Sequence, residues 1–282
     1  MPKIETSRSI EIAAPPASIF EHIIDFQKAQ QWSPWIICEP SAELAIDGDS
    51  YTWNGELIGS GRVTRAQVID NQQIRYHLEI HSPWKSVAEF SHTLEPVAGD
   101  AETPLTRVTW SMDSKLPWYL FFMKSMMQCM IGMDYQRGLR MLKDRVELGS
   151  VPCTLSYQED EKIPECHYLG LERTCAMDDM ERLMEPDFER MAKLFGEVGL
   201  HTEPIFTQYL KWNLGKGEAT YVICCPVEKI PSAIPDGLMS GTRPACRTYC
   251  VNHLGPYRHL GNAWAAGMLR SRSKIFKQSR KL

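Results

Sequence analysis

Three stretches of this chain alternate apolar and polar residues with a period of two, and a run of helical period follows at once. The first is Ile74, Tyr76, Leu78 and Ile80, with Arg75, His77, Glu79 and His81 between them. The second is Ala88, Phe90, His92 and Leu94, and the third is Val108, Trp110 and Met112. Successive strand residues point to opposite faces, so each stretch has one apolar face. That pattern marks an antiparallel sheet covered on one side. The cover is Leu116, Leu120, Met123, Met127, Ile131, Tyr135, Leu139, Leu142 and Val146. Their steps of three and four predict one long helix from about Leu116 to Leu148. Strands on one side and a long closing helix on the other is an α+β arrangement.

The residues before this block fit the same plan. Ile10 and Ile12 alternate in a short strand, and Pro15-Pro16 opens a helix with Ile19, Ile23 and Phe26 on its inner face. Proline is tolerated there because the first turn lacks an intrahelical N–H partner. Ala13-Ala14-Pro15-Pro16-Ala17-Ser18-Ile19-Phe20, Gln31-Trp32-Ser33-Pro34-Trp35, Tyr51-Thr52-Trp53-Asn54-Gly55, Gly59-Ser60-Gly61, Val108-Thr109-Trp110-Ser111-Met112 and Gly138-Leu139-Arg140-Met141-Leu142-Lys143 resemble the START-like, polyketide-cyclase superfamily. The resemblance covers residues 7–148 and implies a helix-grip fold. It also implies an interior pocket for an apolar or amphipathic small molecule. Trp35, Tyr76, Phe90, Trp110, Met123, Met126, Met127 and Met130 are its candidate lining, since aromatic and methionine surfaces adapt to varied apolar ligands. The same residues also suit a solid core. His92 is the titratable residue on the apolar face, either an acid–base group or a hydrogen-bonded histidine without chemistry.

Gly149-Ser150-Val151-Pro152 reads as a joint, so we expect domains at 1–150 and 151–282. Residues 1–150 carry a complete hydrophobic pattern and are expected to fold alone. The second half reads as a strand from Cys166 to Arg173, then a helix with Met180, Met184, Phe188, Met191, Phe195 and Val198 inside and Gly199 as its cap. Strands follow at Ile205–Trp212 and Ala219–Val227. A second strand–helix pair runs from Cys246 to His253 and from Leu260 to Ile275. Tyr168-Leu169-Gly170-Leu171, Tyr209-Leu210-Lys211-Trp212, Cys225-Pro226-Val227, His253-Leu254-Gly255-Pro256-Tyr257 and Asn262-Ala263-Trp264 resemble the gyrase-inhibitor-like effector-binding domain of bacterial transcription activators. That implies two β-α-β-β repeats with a ligand cleft between them, lined by Tyr209, Trp212 and Tyr257. The second repeat lacks its two closing strands, and with them the family's acidic cleft residue, so residues 246–282 are expected to be the least stable region.

Class-level exclusions narrow the function. Hydrophobic residues make up 43% and charged residues 23% of 282, which excludes a disordered or collagen-like chain. Residues from Arg243 onward carry nine Lys or Arg and no acid. No helix-turn-helix or basic-aromatic motif accompanies that tail, so no direct nucleic-acid partner is expected. Nine cysteines without C-x-x-C, behind an N-terminus with no signal-peptide pattern, read as reduced and cytoplasmic. Cys246, Cys250 and His253 lie close in sequence, but strand alternation puts His253 on the opposite face, so no metal is expected. Lys124, Ser125 and Gln128 interrupt the most apolar stretch, so no membrane span is expected. No dinucleotide, P-loop or catalytic-triad motif is present, and no cofactor is expected. The leading expectation is a two-domain binding protein for apolar or amphipathic small molecules, acting as a sensor or regulator. A cyclase- or hydrolase-type enzyme is the alternative, and a homo-oligomer or a regulatory protein partner stays open.

Overall fold

The computed structural model describes residues 3–98, 104–115, 118–198 and 204–277. Its first element is β1 (Lys3–Ile12), followed by α1 (Pro16–Ile24) and α2 (Phe26–Gln30). Pro16 occupies the first turn of α1. The Asp25 carboxylate caps α2 by accepting from the Gln27 and Lys28 amides at 2.8 and 3.4 Å. Six strands follow: β2 (Glu43–Asp47), β3 (Ser50–Gly55), β4 (Gly59–Ile69), β5 (Gln73–Ser82), β6 (Ser86–Val97) and β7 (Leu105–Lys115). They form a seven-stranded sheet in the order β1-β7-β6-β5-β4-β3-β2, with every pair antiparallel. The β3–β4 turn is tied down by Glu39, whose buried carboxylate accepts from the amides of Glu56, Leu57 and Ile58 at 2.8–2.9 Å. Gly55 leaves room for that carboxylate, since a Cβ there would lie 2.4 Å from Glu39 Oε2.

The long helix is α3 (Lys124–Leu148), ending at Gly149 in the left-handed conformation with φ 76°. It starts later than the periodicity predicts. Trp118–Met123 is a 3-10 segment, and Leu116 and Pro117 lie outside the described residues. Large apolar residues in an unbroken row have no polar face, so spacing alone does not separate a 3-10 turn from an α-turn. α3 lies along β1. Gln128 Nε2 donates to the Glu5 carbonyl at 2.8 Å, Lys143 Nζ to the Glu11 carbonyl at 2.6 Å, and the Ala13 amide to Glu147 Oε1 at 2.7 Å. Antiparallel sheet, short helices and a long helix over the apolar face make this a mixed α+β, helix-grip fold.

Two compact units emerge, and they divide differently from the expected cut at residue 150. One comprises residues 1–158 with 250–277, the other 159–249, both taken over the described residues. β8 (Thr154–Ile163) and β13 (Cys246–Leu254) pair as a two-stranded ribbon, and the division passes through it. β8 thus gives β13 the hydrogen-bonding partner that the sequence pattern leaves unassigned. α5 (Leu260–Arg272) belongs to the first unit. The reason is a set of buried polar contacts. Asp144 of α3 accepts from Arg258 at 2.7 and 2.9 Å and bonds His259 Nε2 at 2.7 Å. Arg137 donates to Asn262 Oδ1 at 2.8 Å. Arg270 donates to the Cys38 carbonyl at 3.1 Å and lies 3.4 Å above the Tyr157 ring. Ala266 and Asn262 are fully buried, so this segment is part of a core rather than a loose end.

The second unit holds β9 (Cys166–Ala176), α4 (Met180–Val198), β10 (Phe206–Asn213), β11 (Glu218–Val227) and β12 (Met239–Arg243). Their order is β10-β11-β9-β12. Leu169, Leu171, Met184, Met191, Phe195, Tyr221 and Ile223 form its core. Asp187 of α4 is buried among them and takes Arg173 and the Tyr221 hydroxyl as partners. The expected cap Gly199 lies outside the described residues.

These contacts set an expected outcome for residues 1–150 that differs from independent folding. That fragment keeps Asp144 but loses Arg258 and His259. Stranding one buried charge costs about 3 kcal/mol, so the fragment should melt well below the full chain. Asp144→Ala in the full chain should destabilise it by a comparable amount. Thermal melts check both, and an unchanged melting temperature in either would contradict the packing role of α5.

Candidate functional site

Strand register lines up the apolar face of the large sheet in rows. Arg8 is opposite Trp110, and Trp110 is opposite His92, which is opposite Ile74. The next row is Thr6, Met112, Phe90 and Tyr76, and the row beyond ends in Ala88 and Leu78. Burial is uneven on this face: Ile4 and Val63, on either side of Ala88 and Leu78, are buried, as is Thr6, and the half-buried positions lie between them. Ile74, Tyr76, His92, Leu94, Val108 and Trp110 are buried, whereas Leu78, Ile80, Ala88, Phe90 and Met112 are half-buried. Gln128 bonds β1 at Glu5, which places the first turns of α3 at the level of this more open half. Met127 is half-buried on those turns and Met123 just before them, whereas Met130, expected from the sequence beside them, lies against α5 with Arg272 Nη2 4.0 Å from its sulfur. The apolar face is therefore a tightly packed floor around Trp110, with the half-buried Leu78, Ile80, Ala88, Phe90 and Met112 beyond it.

The floor is a cluster of rings. Trp110 stacks on Tyr135 with centroids 4.2 Å apart, and Trp32 and Trp35 meet it edge-on at 5.7 and 5.9 Å. Tyr76 stacks on Phe90 at 4.6 Å. The His92 ring touches Trp110 at 4.7 Å and meets Trp32, Tyr76 and Phe90 near right angles. Offset and edge-on pairs are each worth about 0.5–1.5 kcal/mol beyond their area. Gly138 of α3 lets Trp110 in: a Cβ there would lie 2.6 Å from the indole. Gly132 does the same for Arg8, whose guanidinium lies 2.7 Å from an added Cβ.

His92 is 3% exposed, and neither ring nitrogen has a hydrogen-bond partner among the described residues. Burial among rings pushes its pKa from 6.5 down to about 3, so it is neutral at physiological pH and presents one donor and one acceptor. A buried polar group without a partner is costly, and such groups in folded proteins mark functional positions or ligand contacts.

The structure places the candidates expected from the sequence in three settings. Tyr76, His92 and Trp110 are in the floor with Trp35 and Phe90 against it; Met123 and Met127 are half-buried at the start of α3, and Met130 lies against α5. Trp110 is packed on all sides, so Trp110→Ala tests the core rather than a pocket. Tyr209 and Trp212 stack at 5.0 Å on β10 of the second unit. Tyr257 is 60% exposed and belongs to the first unit. Trp32, Tyr135 and Arg8 join the site although the sequence pattern does not single them out for it. Arg8 shares the phase of Ile10 and Ile12, and that phase is the available signal.

An antiparallel sheet gripping a long helix over an apolar interior defines a START-like ligand-binding fold. The family model described as polyketide cyclase / dehydrase and lipid transport matches residues 3–147, just over half of the chain, and the chain belongs to that family. Solved structures share this part of the chain. XoxI from Bacillus cereus is 17% identical over 51% of this chain and 97% of its own, with a TM-score of 0.40. A START superfamily protein from Mycobacterium smegmatis is 19% identical over 52% and 99%, at 0.37. A conserved protein from Geobacillus kaustophilus is 12% identical over 51% and 96%, at 0.42. Among curated proteins none matches the sequence.

The His92 environment has a pH consequence. The unfolded chain binds a proton at His92 below pH 6.5 and the folded chain does not until about pH 3. Stability from this residue is therefore present above pH 6.5 and falls as pH drops toward 3. Well inside that window the slope is about 1.4 kcal/mol per pH unit. Denaturant melts of the wild type and His92→Phe at pH 7 and pH 5 should show a smaller loss in the variant. Equal losses would contradict a buried, neutral His92.

Proposed function

We propose that this protein binds small apolar or amphipathic molecules in the groove between the open half of the sheet and the first turns of α3. The observation that carries the reading is His92: a neutral ring at the groove's floor with both nitrogens unmatched among the described residues. An apolar body would lie against Leu78, Ile80, Met112, Met123 and Met127. One hydroxyl or carbonyl would reach the His92 ring, lifting the cost of its burial. Catalysis through His92 is not favoured. A general base works best with a pKa near the working pH, and this ring sits near 3.

The second unit supports a sensing or regulatory role. Its β9-α4-β10-β11 order matches the strand–helix–strand–strand unit of effector-binding domains, with the Tyr209–Trp212 stack on β10. All nine cysteines are free thiols, which supports a reducing, cytoplasmic setting. No helix among the described residues is long and apolar enough to cross a membrane.

Fluorescence titration with an apolar dye such as 1-aminoanthracene tests the groove. Leu78→Trp and Met127→Trp fill it and should weaken dye binding about tenfold or more, with small changes in melting temperature. His92→Phe should remove the preference for dyes carrying a hydroxyl over those lacking one, a difference of about 1–2 kcal/mol. Unchanged affinity in both tryptophan variants would overturn the assignment.

A further inference from the structure

Exposed aromatic side chains of the first unit gather where two connections leave the same end of the large sheet. One is the β5–β6 hairpin, with Trp84 63% and Val87 60% exposed. The other is the β7–α3 connection, with Trp118 74%, Phe121 65% and Phe122 68% exposed, and Tyr119 exposed beside them. Register brings the two together: Ala88 pairs with Ser114, and Ser114 Oγ donates to the Val87 carbonyl at 3.3 Å. Trp118 meets Tyr119 edge-on at 6.2 Å, and Phe121 meets Phe122 edge-on at 6.1 Å. These rings form a projecting rim beside the half-buried methionines.

Within the two connections themselves the charges have one sign, with Glu79, Glu89 and Asp113 following on the strands behind them. Residues 80–88 contain Lys85 and no acid, and residues 114–133 contain Lys115 and Lys124 and no acid. This stands out in a chain of net charge −4. Tryptophan and tyrosine favour the boundary between water and hydrocarbon, where ring and polar edge are both accommodated. Phenylalanine adds depth, and lysines are drawn to anionic headgroups. A second copy of the chain is a poorer occupant. A symmetric contact sets the same patch against itself and would bring Lys85 and Lys124 toward their own copies.

We propose that the rim formed by Trp84, Trp118, Tyr119, Phe121 and Phe122 docks this protein on the surface of an anionic lipid bilayer. The rings enter the headgroup layer and Lys85 and Lys124 face the anionic lipids. The chain lies on the membrane and does not cross it. Docking at this end sets the groove's methionine border beside the bilayer, giving an apolar molecule a short path between lipid and protein. The rim and the groove are separable: blocking the groove leaves the docking surface intact.

Co-sedimentation of the full chain with phosphatidylcholine vesicles, with and without phosphatidylglycerol, tests this. The wild type should bind the phosphatidylglycerol vesicles, and salt should weaken binding through screening. The double variant Phe121→Ser/Phe122→Ser should bind about tenfold more weakly or worse. Lys85→Glu and Lys124→Glu should each cost roughly fivefold. Unchanged melting temperatures confirm that the variants are intact. Met127→Trp should bind vesicles as the wild type does even if it loses the dye, so failure of the ligand reading is distinguishable. No binding to either vesicle, or binding unaffected by the aromatic variants, would overturn the proposal. So would concentration-dependent dimers, abolished by those variants, in a chain that ignores vesicles.

Discussion

Trp110 is the constraint on which the first unit depends. It stands at the centre of the sheet's apolar face and contacts Trp32, Trp35, Phe90, His92 and Tyr135. These partners come from the α2–β2 connection, from β6 and from α3. One indole therefore fixes the distance between sheet and helix at that level. It requires Gly138 in α3, because a methyl group there would collide with the ring. The same packing closes the interior at that level.

Beyond the Trp110 row the strands carry Phe90 and Tyr76 and then the smaller or more flexible Ala88 and Leu78, with Met112 beside them, and α3 begins with methionines. Flexible side chains re-pack at low cost around guests of different shape, whereas the ring cluster does not. In the function proposed above, rigid floor and adaptable walls would select a shape class with one fixed polar contact at His92. α5 adds to the rigidity from outside: Asp144, Arg137 and Arg270 tie it to the helix-grip frame through buried polar bonds. The frame is thus completed by residues roughly a hundred positions away in sequence.

Much of this is legible in the amino-acid sequence. The period-two runs place Tyr76, Phe90, His92 and Trp110 on one face, and register puts them in adjacent rows. The helical run locates α3 apart from its start. Spacing does not encode depth, so the same alternation describes both the packed floor and the half-buried positions beyond it. Trp110 and Met112 are two residues apart on one face, yet the first is buried and the second half-buried. The partition of the C-terminal segment is hidden for a related reason. Gly255-Pro256-Tyr257 and the strand before it have a local pattern that fits an effector-binding repeat, while their partners, Asp144 and β8, are long-range choices that periodicity does not reveal. A charged residue in phase with isoleucines, as Arg8 is, reads as an interruption, whereas Gly132 gives its guanidinium space beneath α3.

The fourteen methionines make the central claim directly measurable. Methyl NMR of methionine-labelled full-length protein, titrated with an apolar probe, reports on both units at once. The account predicts shifts at Met112, Met123 and Met127, with Met180, Met184 and Met191 of the second unit unmoved. Shifts confined to the second unit, or a saturating probe that moves none of the three groove methyls, would contradict a ligand groove in the helix-grip interior.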